Sequence, residues 1–159
     1  MTVVKEACVD NIQDAINAFK KGADRIEFCS NLKEDGLTPS NDDLIYLKKS
    51  ISIPLRVMVR PHSISFNYND DDLVQMKETI KFCKNQKFDG VVFGCLDDNN
   101  ELDLNKIKYL ADFAKPLNVI IHKAIDLTSS PVNSLKKLLE INNVNGVLSS
   151  GGCETAELG

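Results

Sequence analysis

The sequence lacks several features that define large classes of proteins. No apolar run approaches the ~18 residues that suggest a membrane-spanning helix, and residues 3–6 follow the first Met without the pattern of a signal peptide. We therefore expect a cytoplasmic protein with no membrane partner. The formal net charge is −4 and the lysines are scattered. Because phosphate binding needs clustered Lys and Arg, we also expect no nucleic-acid partner.

Two short motifs are absent as well. The five cysteines include no Cys-x-x-Cys pair, and their number is odd, so in a reducing cytoplasm we expect free thiols. Neither Gly-x-Gly-x-x-Gly nor Gly-x-x-x-x-Gly-Lys, the glycine-rich loops of nucleotide-binding sheets, follows a predicted strand. No low-complexity segment or linker divides the chain. Residues 1–159 are therefore expected to form one domain.

Short β-branched runs alternate with amphipathic stretches along the whole chain. The predicted strands are Val3–Cys8, Arg25–Cys29, Leu55–Val59, Val91–Leu96, Val119–His122 and Gly146–Ser149. The predicted helices begin near Asp10, Asn41, Asn69 or Asp70, Asp103 and Pro131. Single helices between strands predict βαβ units and a parallel sheet. Both an open doubly wound sheet and a (β/α)₈ barrel have this pattern.

The alternation within the strands favours the barrel. In the second strand Ile26 and Phe28 lie on one face, with Glu27 on the other. An open sheet covered by helices on both sides would need two apolar faces, whereas a barrel tolerates polar residues near its catalytic rim. The predicted fold class is α/β, a (β/α)₈ TIM-type barrel.

Several segments together resemble the CutC copper homeostasis family. They are Glu6-Ala7-Cys8, Gly22-Ala23-Asp24-Arg25-Ile26-Glu27-Phe28-Cys29, Gly36-Leu37-Thr38-Pro39-Ser40, Arg60-Pro61, Phe66-Asn67-Tyr68, His122-Lys123-Ala124-Ile125-Asp126 and Leu148-Ser149-Ser150-Gly151. The resemblance covers the whole chain and independently implies a (β/α)₈ barrel. It also implies truncation after about six strands, with the last two βα units lacking. The loop around His62 departs from the family pattern.

Five charged or titratable residues are predicted to form a site at the carboxyl-terminal rim, where barrel sites lie. They are Glu6, Glu27, Arg60, His122 and Asp126. Such a set can do acid–base work on a small anionic metabolite held by Arg60. The alternative is structural: ion pairs of Glu27 with Arg25 and of Glu6 with Arg56 or Arg60, a packing histidine, and a loop-capping aspartate.

Cys8 and Cys29 end the first two predicted strands. Adjacent parallel strands lie about 4.8 Å apart, so the two sulfurs can approach, and soft thiolates select Cu(I). The alternative is two small buried residues. The resemblance, with matching cysteines at both positions, implies copper homeostasis with Cu(I) bound by these thiols. The enzyme on a small anionic metabolite remains the rival function.

A barrel with six strands leaves its first and sixth strands unpaired on their outer sides. Unpaired strand edges favour association with another chain. We therefore expect a homo-oligomer, or aggregation through these two edges.

Overall fold

Strands and helices alternate in the computed structural model, which describes residues 3–159 and places six strands and five α-helices there. The strands are β1 (Glu6–Val9), β2 (Arg25–Phe28), β3 (Leu55–Met58), β4 (Gly90–Phe93), β5 (Asn118–Ile121) and β6 (Gly146–Val147). The helices are α1 (Ile12–Lys20), α2 (Asn41–Ser50), α3 (Asp70–Asn85), α4 (Leu104–Ala114) and α5 (Pro131–Leu138). Two 3₁₀ segments, Leu32–Glu34 and Lys123–Leu127, follow β2 and β5.

Polar caps fix where the helices begin. Asn69 and Asp72 form a reciprocal capping box at the start of α3, and Asp103 caps α4 as predicted. The cap of α1 is Asn11 rather than the predicted Asp10. The Asp10 carboxylate instead accepts a hydrogen bond of 2.9 Å from the Leu32 backbone N–H. Asp10 therefore supports the loop after β2, not a helix.

The sheet follows chain order from β1 to β6, and each strand is parallel to its neighbours. An open doubly wound sheet would reverse its strand order at a switch point, and this sheet does not. The architecture is therefore that of a TIM-type barrel, as predicted, with six strands forming an arc whose edges are β1 and β6.

The two faces of the arc carry different cores. The convex face packs Ile26, Val57 and Val91 against the helices in one large apolar cluster. The concave face carries a small cluster of Cys29, Met58, Val92 and Ile120, all buried. Polar side chains of the concave face, such as Glu27 and Arg56, precede this apolar layer along their strands, and His122 follows it. The prediction of a side with polar groups therefore holds for the first three strands.

The start of β1 differs from the prediction in a way that matters for the site. Val3 and Val4 were expected to open the strand, yet both precede it and are exposed. Pairing begins where Glu6 lies beside Arg25. The Lys5 backbone N–H is held by the Asp24 carboxylate at 2.8 Å. Glu6 is consequently the first residue of β1, not one near its end.

Candidate functional site

Glu6 lies at the amino-terminal end of the strands, opposite to its predicted place at the rim. Its carboxylate is 2.6 Å from Arg25 and 3.6 Å from Arg56. Arg56 also reaches Asp89 at 3.1 Å. These four side chains, the amino-end ion network, fill that end of the concave face. The predicted ion pair of Glu6 with Arg56 is present, whereas the partner of Arg25 is Glu6 rather than Glu27.

Glu27 projects from the middle of β2 onto the concave face and is only 4% exposed. The register places it beside Cys8, whose thiol donates to the Glu27 carboxylate at 3.4 Å. Burial raises the pKa of Glu27, as does the negative charge of Glu6, while the Cys8 thiol acts in the opposite direction. Glu27 is therefore a buried carboxyl group whose closest polar partner is a thiol.

Cys29 follows β2 directly and is fully buried, whereas Cys8 is exposed. The Cys29 thiol donates to the Val9 carbonyl at 3.6 Å. Hydrogen bonding with the Cys29 thiol is the main cause that raises the pKa of Cys8, followed by burial and by Glu27. The two thiols are thus neighbours at the ends of adjacent strands, and the raised pKa keeps Cys8 protonated near neutral pH.

Gly36 leaves the room that Cys29 occupies. A Cβ at Gly36 would lie 3.1 Å from the Cys29 sulfur, and the backbone there has φ of +82°. Both the close approach and the left-handed backbone favour glycine. The loop after β2 therefore packs directly against one of the two thiols.

His122 lies just past β5 and is 4% exposed. Its Nδ1 accepts a hydrogen bond of 3.2 Å from the Ala124 backbone N–H, so Nε2 carries the proton of the neutral ring. Nε2 has no hydrogen-bond partner among the residues described. Burial and the positive charge of Arg60 lower the pKa of His122 to about 3. At neutral pH it is an uncharged ring with one unused donor.

Arg60, predicted to hold an anion, is committed to the loop after β2. Its Nη1 donates to the Glu34 carbonyl and, at 3.1 Å, to the Gly36 carbonyl. Its guanidinium lies 4.5 Å from the centre of the Phe66 ring. Only 3% of Arg60 is exposed. In this geometry Arg60 anchors a loop, and the predicted bidentate contact with a free anion has no support.

Asp126 ties two segments of the rim together, in agreement with the capping alternative. One carboxylate oxygen accepts from the Ser149 hydroxyl at 2.5 Å and the Gly152 N–H at 2.9 Å. The other accepts from the N–H and the hydroxyl of Ser150 at 2.8 and 3.2 Å. Burial opposes the shift, but these hydrogen bonds lower the pKa of Asp126. Its charge is therefore stabilised by the segment that follows β6.

A cavity of about 460 Å³, here called the rim cavity, opens at the carboxyl-terminal end of the strands. Of the predicted residues, Cys8, Glu27, His122 and Asp126 line it. Glu6 and Arg60 do not. Cys153 also lies in its wall, and we had no sequence pattern that placed it. His62 lies elsewhere, with its Nε2 3.2 Å from the Asp72 carboxylate.

Within residues 3–159, no group of three or more His, Cys, Asp or Glu side chains has the arrangement of a metal site. A two-thiol site is not of that kind, since it needs only a pair of ligands. In the same residues, no helix is both long and apolar enough to cross a membrane.

The CutC family matches this chain over residues 3–159. The human protein named copper homeostasis protein cutC homolog is 40% identical over 153 residues, which cover 96% of this chain and 55% of the human protein. A CutC family protein of Yersinia pseudotuberculosis is 37% identical, over 97% of this chain and 60% of its own length. The chain thus spans a little over half the length of these curated relatives.

Solved structures agree with the fold. The crystal structure of CutC from Streptococcus agalactiae superposes with a TM-score of 0.85 at 30% identity, over 96% of this chain and 75% of that one. An N-acetylneuraminate lyase from Mycoplasma synoviae has a TM-score of 0.58 at 17% identity, a likeness that concerns the fold alone. The match over the whole described chain and the identity to its relatives show that this chain belongs to the CutC family of copper homeostasis proteins.

Proposed function

We propose that this chain binds Cu(I) between the thiols of Cys8 and Cys29 and serves copper homeostasis in the cytoplasm. The observation that carries the proposal is the neighbouring position of the two thiols at the ends of adjacent strands, where hydrogen bonding with the Cys29 thiol raises the pKa of Cys8. Soft sulfur ligands favour Cu(I) over hard cations. All five cysteines are free thiols, which suits a reducing compartment.

The strand register suits an ion between the sulfurs better than a direct bond between them. Cys8 lies opposite Glu27, so Cys29 is two residues further along β2. With strands about 4.8 Å apart and a rise of about 3.3 Å per residue, the two Cα atoms are expected about 8 Å apart. A disulfide requires Cα atoms within about 7 Å. An ion inserted between the sulfurs lengthens the bridge and fits the wider spacing.

Because its raised pKa keeps the Cys8 thiol protonated near neutral pH, copper binding at Cys8 exchanges a proton for the ion. Because the ligands must be thiolates, binding releases protons. Glu27, 3.4 Å from the Cys8 sulfur, is the nearest group for the Cys8 proton. The concave face around Cys29 is apolar and buried, so it shields the Cys29 side of the bound ion from water.

The test is an anaerobic Cu(I) titration against a competing chelator. We expect the wild-type chain to bind one equivalent and the Cys8→Ala/Cys29→Ala variant to lose at least about a hundredfold in affinity, as loss of metal ligands does. Cys83→Ala is the matched control, because Cys83 is a buried thiol on α3, outside the site. It should bind copper like the wild type. Unchanged affinity in the double variant would refute the proposal.

The rival, an enzyme acting on a small anionic metabolite, has little support from the geometry. Glu6 belongs to the ion network at the other end of the strands. Arg60 anchors a loop, and the Asp126 carboxylate is occupied by the segment after β6. Of the five predicted catalytic residues, Glu27 and His122 remain available to a ligand in the rim cavity.

A further inference from the structure

The rim cavity has room for more than a metal ion. Its volume of about 460 Å³ lies within the range of small-molecule sites, roughly 300–1,000 Å³. Cys8 lies in its wall, so copper bound by the two thiols would occupy one side only. Met58, Phe66 and Leu148 supply apolar wall on the other sides. A cavity of this kind has the composition of a site for a small organic molecule.

His122 brings to the wall of this cavity a buried side-chain nitrogen that lacks a protein partner. Three parts of the ring are in contact: Nδ1 with the Ala124 N–H, the Cε1–Nδ1 edge with Gly94, and one face with Phe66, whose ring centre is 4.7 Å away. The Nε2 atom is buried and without an acceptor. Leaving such a donor unpaired destabilises the fold, and a bound acceptor would recover that loss.

The charges around the cavity select against anions. Its lining includes four carboxyl groups and one lysine, which are Glu27, Asp35, Asp126, Glu154 and Lys123. Arg60, the buried cation nearby, points its Nη1 into the loop after β2. An anion would meet mainly like charge, whereas an uncharged ligand would not.

We propose that the rim cavity binds an uncharged small molecule through an oxygen atom that accepts the Nε2–H of His122. Glu27, buried in the same wall, offers an acceptor to a donor group of the same ligand. An amide presents both an accepting oxygen and a donating NH₂. The two groups that hold the ligand, Nε2 of His122 and the Glu27 carboxyl group, are distinct from the two thiols proposed for copper, although Glu27 contacts Cys8.

Entry of the ligand requires a small shift of the ring, since Nε2 is covered in the unliganded structure. The shift breaks no hydrogen bond of Nε2, because that atom makes none. The hydrogen bond between Nδ1 and Ala124 can be kept as the ring tilts about it. Binding is thus expected to move the His122 resonances and leave the fold unchanged.

The probes are two pairs of equal shape and different charge: benzamide with benzoate, and propionamide with propionate. The chain has two histidines, so NMR correlation of imidazole nitrogens with ring protons gives two sets of signals. We expect an amide to shift Nε2 of His122 with millimolar affinity, an order of magnitude usual for fragments. The matching carboxylate should bind about tenfold more weakly. His62 lies outside the cavity and should stay unmoved.

Two substitutions distinguish loss of the Nε2–H donor of His122 from loss of the folded structure. Asn at position 122 keeps an acceptor for the Ala124 N–H and loses the group at the Nε2 position, whereas Gln places an amide N–H near Nε2. In His122→Asn, backbone amide shifts should report amide binding weakened roughly fivefold to tenfold, the effect of one hydrogen bond. His122→Gln should retain most of the affinity. Thermal melting establishes that both variants are folded.

Three results would overturn the proposal. One is the absence of any His122 shift with either amide up to its solubility limit. Another is a carboxylate that binds as tightly as its amide. The third is unweakened amide binding in folded His122→Asn. His122→Asn should bind Cu(I) like the wild type, because His122 is not one of the two proposed thiol ligands, so failure here is distinct from failure of the copper proposal.

Discussion

The two ends of the concave face contain similar residue types in opposite states. At the amino-terminal end, Glu6, Arg25, Arg56 and Asp89 pair their charges with one another, although Nε of Arg25 has no hydrogen-bond partner. Glu27 lies beside Arg56 in the strand register and has the Cys8 thiol for a partner. At the carboxyl-terminal end, His122 Nε2 has no partner. An apolar layer of Cys29, Met58, Val92 and Ile120 separates His122 from the ion network.

The difference indicates which end performs function. A network in which every charge has a partner stabilises the fold, and it leaves no charged group free to bind a ligand. Buried groups without good partners reduce stability, and such groups are concentrated where sites lie. The amino-end ion network is therefore read as structural, and the rim cavity as the functional end. Three predictions test this division, beginning with the largest expected effect.

Breaking the amino-end ion network should cost stability and leave binding intact. Arg56 bridges Glu6 and Asp89, and its side chain is 11% exposed. We expect Arg56→Met to lower the free energy of unfolding by roughly 2–3 kcal/mol, somewhat less than the loss of a fully buried partner. Cu(I) affinity should not change. Urea denaturation and the chelator titration measure the two effects.

Lys115→Met is the matched control, since Lys115 pairs with Asp112 on the surface and both side chains are about half exposed. Removing that ion pair should cost under about 1 kcal/mol. If Arg56→Met is as mild as this control, or weakens copper binding, the division between the two ends is wrong.

The second prediction concerns acid. Folded His122 stays neutral down to about pH 3, whereas the unfolded chain takes up its proton near pH 6.5. Between these values the unfolded state binds more protons, so the free energy of unfolding decreases as the pH is lowered. From pH 7 to pH 5 this histidine should lower the free energy of unfolding by about 2 kcal/mol.

The comparison of wild type with His122→Asn isolates this contribution. Glu27 acts in the opposite direction, because its raised pKa lets the folded state take up a proton before the unfolded state does. Both proteins retain Glu27, so its effect cancels. Urea melts at pH 7 and pH 5 should show a steeper loss for the wild type. Equal losses would mean that His122 titrates normally in the fold.

The third prediction has the smallest expected effect: Cys8 and Cys29 should not form a disulfide in the folded chain. The register of Cys8 and Cys29 places their Cα atoms too far apart for an unstrained disulfide. Under mild oxidation the apo chain should therefore keep both thiols, as counted by alkylation and mass spectrometry. Denatured chain, free of the register, is the control and should form the bond. Rapid oxidation of the folded chain would show that the strands allow closer approach.

The fold was predictable because strand and helix periods repeat along the whole chain, and because the motifs resemble one family. Glu6 was misplaced for a local reason. The predicted first strand began at Val3, three residues before the observed start of β1. Because β1 has only four residues, this error moves Glu6 from one end of the strand to the other. The role of Arg60 was not visible in the sequence, since its partners are backbone carbonyls of residues 34 and 36.

Other parts of the site left a partial trace. The run from Ser149 to Gly152 is rich in small hydrogen-bond donors, and a carboxylate such as Asp126 was a natural partner for it. The unpaired state of His122 Nε2 depends on Gly94, Phe66 and Ala124 together. Three contacts from distant segments meet there only in the folded chain, so no local pattern predicts them.

The contact between Gly36 and Cys29 has a consequence for timing. Arg60 holds the Gly36 carbonyl, and Gly36 packs against the Cys29 sulfur, so a residue remote from the ion restrains the thiol that would hold it. In the proposed copper site, opening of this loop would limit how fast the ion leaves, whatever the equilibrium strength of the thiolate bonds. Residence time and affinity would then be separately adjustable, because a looser loop would speed release while the same two thiols bind the ion.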